Sequence, residues 1–224
     1  MAASRSKAKA AETEAAPAAE TKRDAAATRE RILVAATQEF ADKGYDGARV
    51  DEIIRVSQVN KNSLYHYFGS KEQLFTAVLE RVYENIRARQ SDLSIRSMSP
   101  EEGMRTLVEF TARIWEEVPE YNRLLASENL HEARHVRQSE RIVPMYNPLL
   151  ATICELLKRG EEAGVFRGGI DPVDLYISIT ALSAHYISHR HTFEAIFKTE
   201  LMTPARLEQR RRHAADMILR YLKA

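Results

Sequence analysis

Residues 49 to 71 read RVDEIIRVSQVNKNSLYHYFGSK, a stretch whose periodicity describes two short helices joined by a tight turn. In the first, Val50, Ile53 and Ile54 stand three and four apart, which gathers them on one face for burial and leaves Arg49, Asp51, Glu52 and Arg55 in water. The turn is expected near Ser57 and Gln58. The second helix is predicted from Asn60 to Phe68, with Leu64 and Phe68 as its buried side and Lys61, Asn62, Ser63 and Tyr65 around the other. Lys and Ser donate to guanine or phosphate oxygens, Asn pairs bidentately with adenine, and Tyr offers a hydroxyl and a flat face for a thymine methyl. A polar helix face is usually only solvated. It is the concentration of these groups on about two helical turns, behind a helix-turn pattern, that points to a major groove.

From Gly44 to Phe75 the residues GYDGARVDEII and VNKNSLYHYFGSKEQLF closely resemble the N-terminal DNA-binding domain of the tetracycline-repressor (TetR) family. The resemblance covers residues 28 to 80, about a quarter of the chain, and is most specific at Leu64-Tyr65-His66-Tyr67-Phe68 followed by Ser70-Lys71-Glu72. It implies a repressor that binds a palindromic operator as a homodimer and is released by a small-molecule effector, with an activator or architectural protein as the alternative within the class. It further implies that Lys61, Asn62, Ser63 and Tyr65 face bases, that Tyr67 and Lys71 hold phosphates, and that Arg49 and His66 belong to the same DNA-binding surface. Three positions depart from the family pattern: Arg49 stands for a phosphate-binding threonine, Ile54 for alanine, and Gln58 for the glycine of the turn. Arg49 adds to the phosphate grip; Gln58 has to take a turn conformation that glycine takes without strain.

The chain of 224 residues is 44% apolar, enough for a substantial core, and its 33 basic and 32 acidic residues nearly cancel. Even residues 22 to 85 carry equal numbers of cations and anions, so the nucleic-acid reading rests on where charges sit and not on their sum. The single cysteine, Cys154, excludes an internal disulfide and fits a cytoplasmic location; its apolar neighbours predict burial. Residues 1 to 27 are alanine-rich, lack Leu, Ile, Val and Phe, and are expected to be a disordered arm without the apolar run of a signal peptide.

Thr28 is expected to cap a first helix with Ile32, Ala36 and Phe40 on its buried stripe and Gly44 at its end. That helix, with the two that follow, makes a three-helix domain over residues 28 to 90, in which Ser70 and Gln73 open a longer helix as a capping box. The segment SDLSIRSMS, residues 91 to 99, breaks the period. Beyond it, Ser99-Pro100, Asp171-Pro172 and Thr203-Pro204 each place a capping side chain ahead of a proline suited to a first helical turn. No alternating strand pattern occurs, and the expectation is an all-α protein whose residues 91 to 224 form a helical ligand-sensing and dimerisation domain.

From Leu175 to His189 there is no Asp, Glu, Lys or Arg, yet the run is too short and too rich in Ser, Thr and His to span a membrane. Protein is expected to cover both its sides. With the stripe Ala214, Met217, Ile218, Tyr221 and Leu222 it can form a four-helix seam across a two-fold axis, although a stripe of this kind is more often ordinary core. Trp115, and Tyr176, Thr180 and Ala184 down one face of the uncharged helix, set bulky aromatics against small residues and mark a candidate ligand pocket, with Tyr146 as a further hydroxyl. No cation inside that helix announces an acidic effector. His131-Glu132-Ala133-Arg134-His135 matches H-E-x-x-H, the zinc-metalloenzyme alternative. A third ligand at defined spacing is missing, so neither metal, cofactor nor catalytic residue is expected.

Overall fold

The computed structural model describes the backbone of residues 3–91 and 93–224 and the side chains of residues 24–91 and 93–224. In chain order the helices are α1 (Ala3–Gly47), α2 (Val50–Ser57), α3 (Lys61–Phe68), α4 (Lys71–Ser91), α5 (Pro100–Glu117), α6 (Pro119–Leu130), α7 (Arg134–Gln138), α8 (Ile142–Met145), α9 (Asn147–Glu162), α10 (Pro172–Ser188), α11 (Arg190–Phe197) and α12 (Pro204–Leu222), with a 3-10 turn at Ile95–Ser97. Among the described residues there is no strand, only an isolated bridge between Phe166 and Lys223, as the all-α expectation requires. No described helix is long and apolar enough to cross a membrane. The chain divides into two compact units, Met1–Val78 and Leu79–Ala224, so the division falls within α4.

In the first unit, Ile32, Ala36 and Phe40 of α1 are fully buried with Ile53, Leu64, Leu74 and Phe75. The Phe40 and Phe75 rings meet edge to face, their centroids 4.9 Å apart. Gly44 breaks the helical path of α1 with φ 69° and ψ 176°, a conformation that glycine adopts at little cost. The arm expected over residues 1 to 27 lies outside the fully described residues except for residues 24 to 27, which are helical. Thr28 is therefore inside α1 and not at its start, and its hydroxyl accepts a hydrogen bond from the Arg31 guanidinium at 3.4 Å.

In the second unit all three cap-and-proline starts form. Ser99 and Glu102 make a reciprocal capping box, the Asp171 carboxylate accepts from the backbone N–H of Val173 and Asp174, and the Thr203 hydroxyl accepts from that of Arg206. Helix α5 is central: its Met104, Leu107 and Val108 share a core with Ile153 and Leu156 of α9, Ile179 of α10 and Ala215 and Ile218 of α12. Cys154 corrects its expectation by being exposed, because its neighbour Ile153 takes the inward position on α9.

The H-E-x-x-H segment does not lie on one helix. Glu132 (φ 55°) and Ala133 (φ 57°) turn left-handed between α6 and α7, so His131 and His135 are not carried on one helix as the motif requires, although their rings lie 6.0 Å apart. His135 instead belongs to a buried polar knot with Glu128, which is only 1% exposed. One Glu128 carboxylate oxygen accepts from His135 Nδ1 at 2.7 Å, and the other from the backbone N–H of His135 and Val136 at 2.8 and 2.9 Å. This knot closes the α6–α7 turn. Glu128→Ala removes the shared acceptor from all three groups and is expected to cost about 3 kcal/mol of stability, measured by urea unfolding of the second unit's transition; a change within about 0.5 kcal/mol would show the knot to be dispensable.

Candidate nucleic-acid interface and ligand cavity

Helix α3 starts where Asn60 caps it, its side-chain oxygen accepting from the Ser63 backbone N–H at 2.7 Å. It ends at Gly69 (φ 72°), and Ser70 opens α4 by accepting from the backbone N–H of Gln73 at 3.1 Å. With Leu64 and Phe68 buried, Lys61, Asn62, Tyr65 and His66 are exposed together, while Ser63 and Tyr67 are half-buried. Lys61 Nζ lies 3.6 Å from the Asp51 carboxylate, with both side chains largely exposed, a pairing weak enough for a phosphate or base edge to replace. Arg49 is exposed just ahead of α2, its backbone N–H donating to the Glu39 carboxylate at 3.0 Å. Lys71 donates to the Asp46 carbonyl at 3.3 Å and lies over the Tyr45 ring, 5.1 Å from its centroid. Beside this surface, Arg55 holds the Glu52 carboxyl below its usual range through a side-chain hydrogen bond.

Gln58 occupies the turn between α2 and α3 with φ 55° and ψ 39°, the left-handed conformation for which glycine is suited. The residue that departs from the family pattern thus adopts the turn the pattern calls for. The helix before it is held by the buried Ser57, whose hydroxyl donates to the Ile53 carbonyl at 2.6 Å.

In the second unit, Trp115, Tyr176 and Thr180 line one slot with Thr111, Tyr121 and Arg87, but its volume is only about 10 Å³, room for a single water. Around it the rings of Tyr83, Tyr121, Tyr146 and Tyr176 pack largely edge to face, and the Tyr121 and Tyr146 hydroxyls are 3.5 Å apart. Burial pushes the phenols of Tyr83, Tyr121 and Tyr176 up from their ordinary value, so all three are neutral hydrogen-bonding groups at neutral pH. A larger cavity of about 560 Å³ adjoins the slot, sharing Arg87 and Gln90 with it and floored by Ile95, Met145, Pro148 and Leu149. Of the residues expected in the pocket, Tyr146 and Ala184 line neither space: Tyr146 packs its ring against Tyr83 and Tyr176, and Ala184 is a helical turn beyond Thr180. Arg87 and Gln90 are absent from the pocket expected from sequence. Their signal was faint: Arg87 lies four residues after the buried Tyr83, the spacing that turns a residue toward the same interior face.

An exposed polar helix face behind a tight turn, in the first of two compact helical units, is the arrangement of a helix-turn-helix DNA-binding protein. The family model for bacterial regulatory proteins of the tetR family matches residues 32–78, and that for the tetracyclin repressor-like C-terminal domain matches residues 100–218. The chain belongs to the TetR family of transcriptional regulators. It is 33% identical over 174 residues to the HTH-type transcriptional repressor NicS of Pseudomonas putida, covering 78% of this chain and 82% of that protein. The HTH-type transcriptional repressor SCO4008 of Streptomyces coelicolor is 30% identical over 163 residues, 72% of this chain and 79% of its own. Among solved structures, a TetR transcriptional regulator from Chloroflexus aurantiacus superposes with a TM-score of 0.68 at 21% identity, covering 90% of this chain and 98% of that one.

Gln58→Gly is expected to stabilise the first unit by up to about 1 kcal/mol, the relief of the left-handed turn outweighing the added freedom of the unfolded chain. Urea unfolding checks it; a variant less stable than the parent would mean that the Gln58 side chain itself contributes to the turn.

Proposed function

We propose that two copies of the chain bind a palindromic DNA operator, each α3 reading one half-site, and that the bound dimer represses transcription until a small-molecule effector occupies the second unit. The observation that carries the DNA-binding half is the division of α3: Leu64 and Phe68 are buried, and Lys61, Asn62, Tyr65 and His66 share the exposed side. Lys61, Asn62, Ser63 and Tyr65 serve as base readers; Arg49, Tyr67 and Lys71 hold phosphates, with His66 at the edge of the same surface. The N-terminal arm has a role compatible with this, reaching into the adjacent minor groove.

The dimer is assigned to α10 and α12. Val173 and Ile177 on the first, and Met217 and Tyr221 on the second, are between 45% and 57% exposed, and a second copy offers the matching apolar cover. The effector acts by binding the DNA-releasing conformation more tightly than the DNA-fitting one; moving the population from 1:99 to 99:1 takes about 5.5 kcal/mol of differential affinity. The cavity at Arg87 and the slot at Trp115, Tyr176 and Thr180 are the places for it. This reading makes the protein a DNA-binding regulator without catalytic function, working in the cytoplasm where the operator is.

Electrophoretic mobility shifts over a series of salt concentrations test the DNA surface. Lys61→Ala and Tyr65→Ala are each expected to weaken operator binding by about 1–3 kcal/mol and to change base preference. Lys71→Ala is expected to weaken binding to all sequences alike and to lower the salt slope by about one. Undiminished operator binding by the Lys61/Tyr65 double variant would sink the assignment. The seam has its own test: Ile177→Asp together with Met217→Asp is expected to convert the dimer to monomer in analytical ultracentrifugation, and a double variant that stays dimeric places the interface elsewhere.

A further inference from the structure

Arg87 and Arg210 differ from the paired arginines of the second unit: each has a buried Nε with no hydrogen-bond partner among the described residues and lies over a tyrosine ring, Arg210 over Tyr186 at 5.2 Å, but Arg87 lines the larger space, about 560 Å³ against about 210 Å³. Arg141 pairs with Glu80 and Glu84, Arg89 with Glu117, Arg105 with Asp216, and Arg211 with Glu116 and Glu208. Arg96, the other arginine lining the larger cavity, pairs with Glu155 at 3.3 Å. Among the described residues the groups that Arg87 meets are neutral: Nη1 donates to the Gln90 side-chain oxygen at 2.5 Å, the guanidinium lies over the Tyr146 ring at 4.9 Å, and the side chain hydrogen-bonds to Tyr176. The Arg87 side chain is half-buried, and an aromatic face compensates its partly desolvated guanidinium only in part, a cost that an anion removes.

We infer that the effector is an organic acid whose carboxylate docks on Arg87 from the cavity of about 560 Å³ and whose apolar body lies on Met145, Pro148 and Leu149. The inference rests on the reading of this domain as an effector sensor and adds the chemical class. The guanidinium fork presents paired N–H groups that match the two oxygens of a carboxylate. The volume suits a small molecule, and the apolar floor favours a monoanion with a hydrocarbon body over a bare inorganic ion. The slot beyond, at about 10 Å³, has no room for the body of the acid while Trp115 and Tyr176 stay in place, so the body lies in the larger cavity. Tyr176 is within the electrostatic reach of Arg87, which opposes the upward push of burial on its phenol.

Isothermal titration calorimetry on the full chain tests this with matched acid and amide probes, benzoate with benzamide, phenylacetate with phenylacetamide and octanoate with octanamide, and with inorganic phosphate alone. At least one acid is expected to bind about tenfold or more tightly than its amide. Arg87→Gln is expected to abolish that preference, and Arg87→Lys, which keeps the charge without the fork, to retain part of it; thermal melts establish that both variants fold. If Arg87→Gln does not fold, Arg87→Lys decides: a reduced preference supports the inference and an undiminished one overturns it. The inference is overturned if no acid binds at millimolar concentration, if acid and amide bind alike, if the preference survives Arg87→Gln undiminished, or if phosphate binds as tightly as the acids. Operator release separates the two levels. Release by amides and not by acids keeps the sensor reading and discards the acid; an acid that binds through Arg87 and leaves the operator bound keeps the acid and discards the sensor reading.

Discussion

The burial of Leu64 and Phe68 is what the DNA-binding half of the structure depends on. An eight-residue helix is too short to persist in water on its own propensity, so α3 exists because its apolar side is packed and its ends are fixed. Leu64 is fully buried and Phe68 is 6% exposed, with the Arg29 guanidinium 5.2 Å from the Phe68 ring centroid. Asn60 satisfies a backbone donor at one end and Gly69 turns the chain out at the other. Once those contacts fix the rotation of α3, the positions of Lys61, Asn62, Tyr65 and His66 follow by helical geometry. Packing inside the unit therefore decides which chemistry faces outward, and a polar residue there needs no partner within the chain to be placed.

The parts of this architecture visible in sequence are those encoded over a few residues. The i, i+4 pair at Leu64 and Phe68, the cap at Asn60, and the three cap-and-proline starts at Ser99, Asp171 and Thr203 all depend on neighbours within one helical turn. What short-range pattern does not decide has the opposite property. Cys154 looked buried because its neighbours are apolar, but Ile153 and Leu156 take the inward positions. The His131–His135 match was broken by left-handed backbone at Glu132 and Ala133, residues that give no glycine signal for such a turn. Glu128, seven residues before His135, supplies the partner that the motif would have assigned to Glu132 or a metal. Trp115, Tyr176 and Thr180 do converge on one slot, whereas Tyr146 and Ala184 do not line it. Arg87 escaped notice because its importance arises from Tyr146 and Tyr176, residues distant in the chain that supply aromatic surface without charge.

Helix α10 concentrates three environments on one short cylinder. Leu175, Ile179, Ser183 and Ile187, at steps of four, face the core; Tyr176 and Thr180 line the aromatic slot; Val173 and Ile177 are exposed. This arrangement accounts for the absence of Asp, Glu, Lys and Arg from Leu175 to His189, since a charge on any of these sides would meet core, cavity or apolar surface. The exposed side is also where a second copy is proposed to pack. Because Tyr176 and Ile177 are consecutive, an effector that displaces the ring of one cannot rotate or shift the helix without carrying the other. A close-packed core accommodates such a displacement by moving elements as units and not by compressing them. On the reading proposed for this family member, the coupling between sensing and dimer geometry then needs no chain of intermediates, because a single rigid helix forms part of both surfaces.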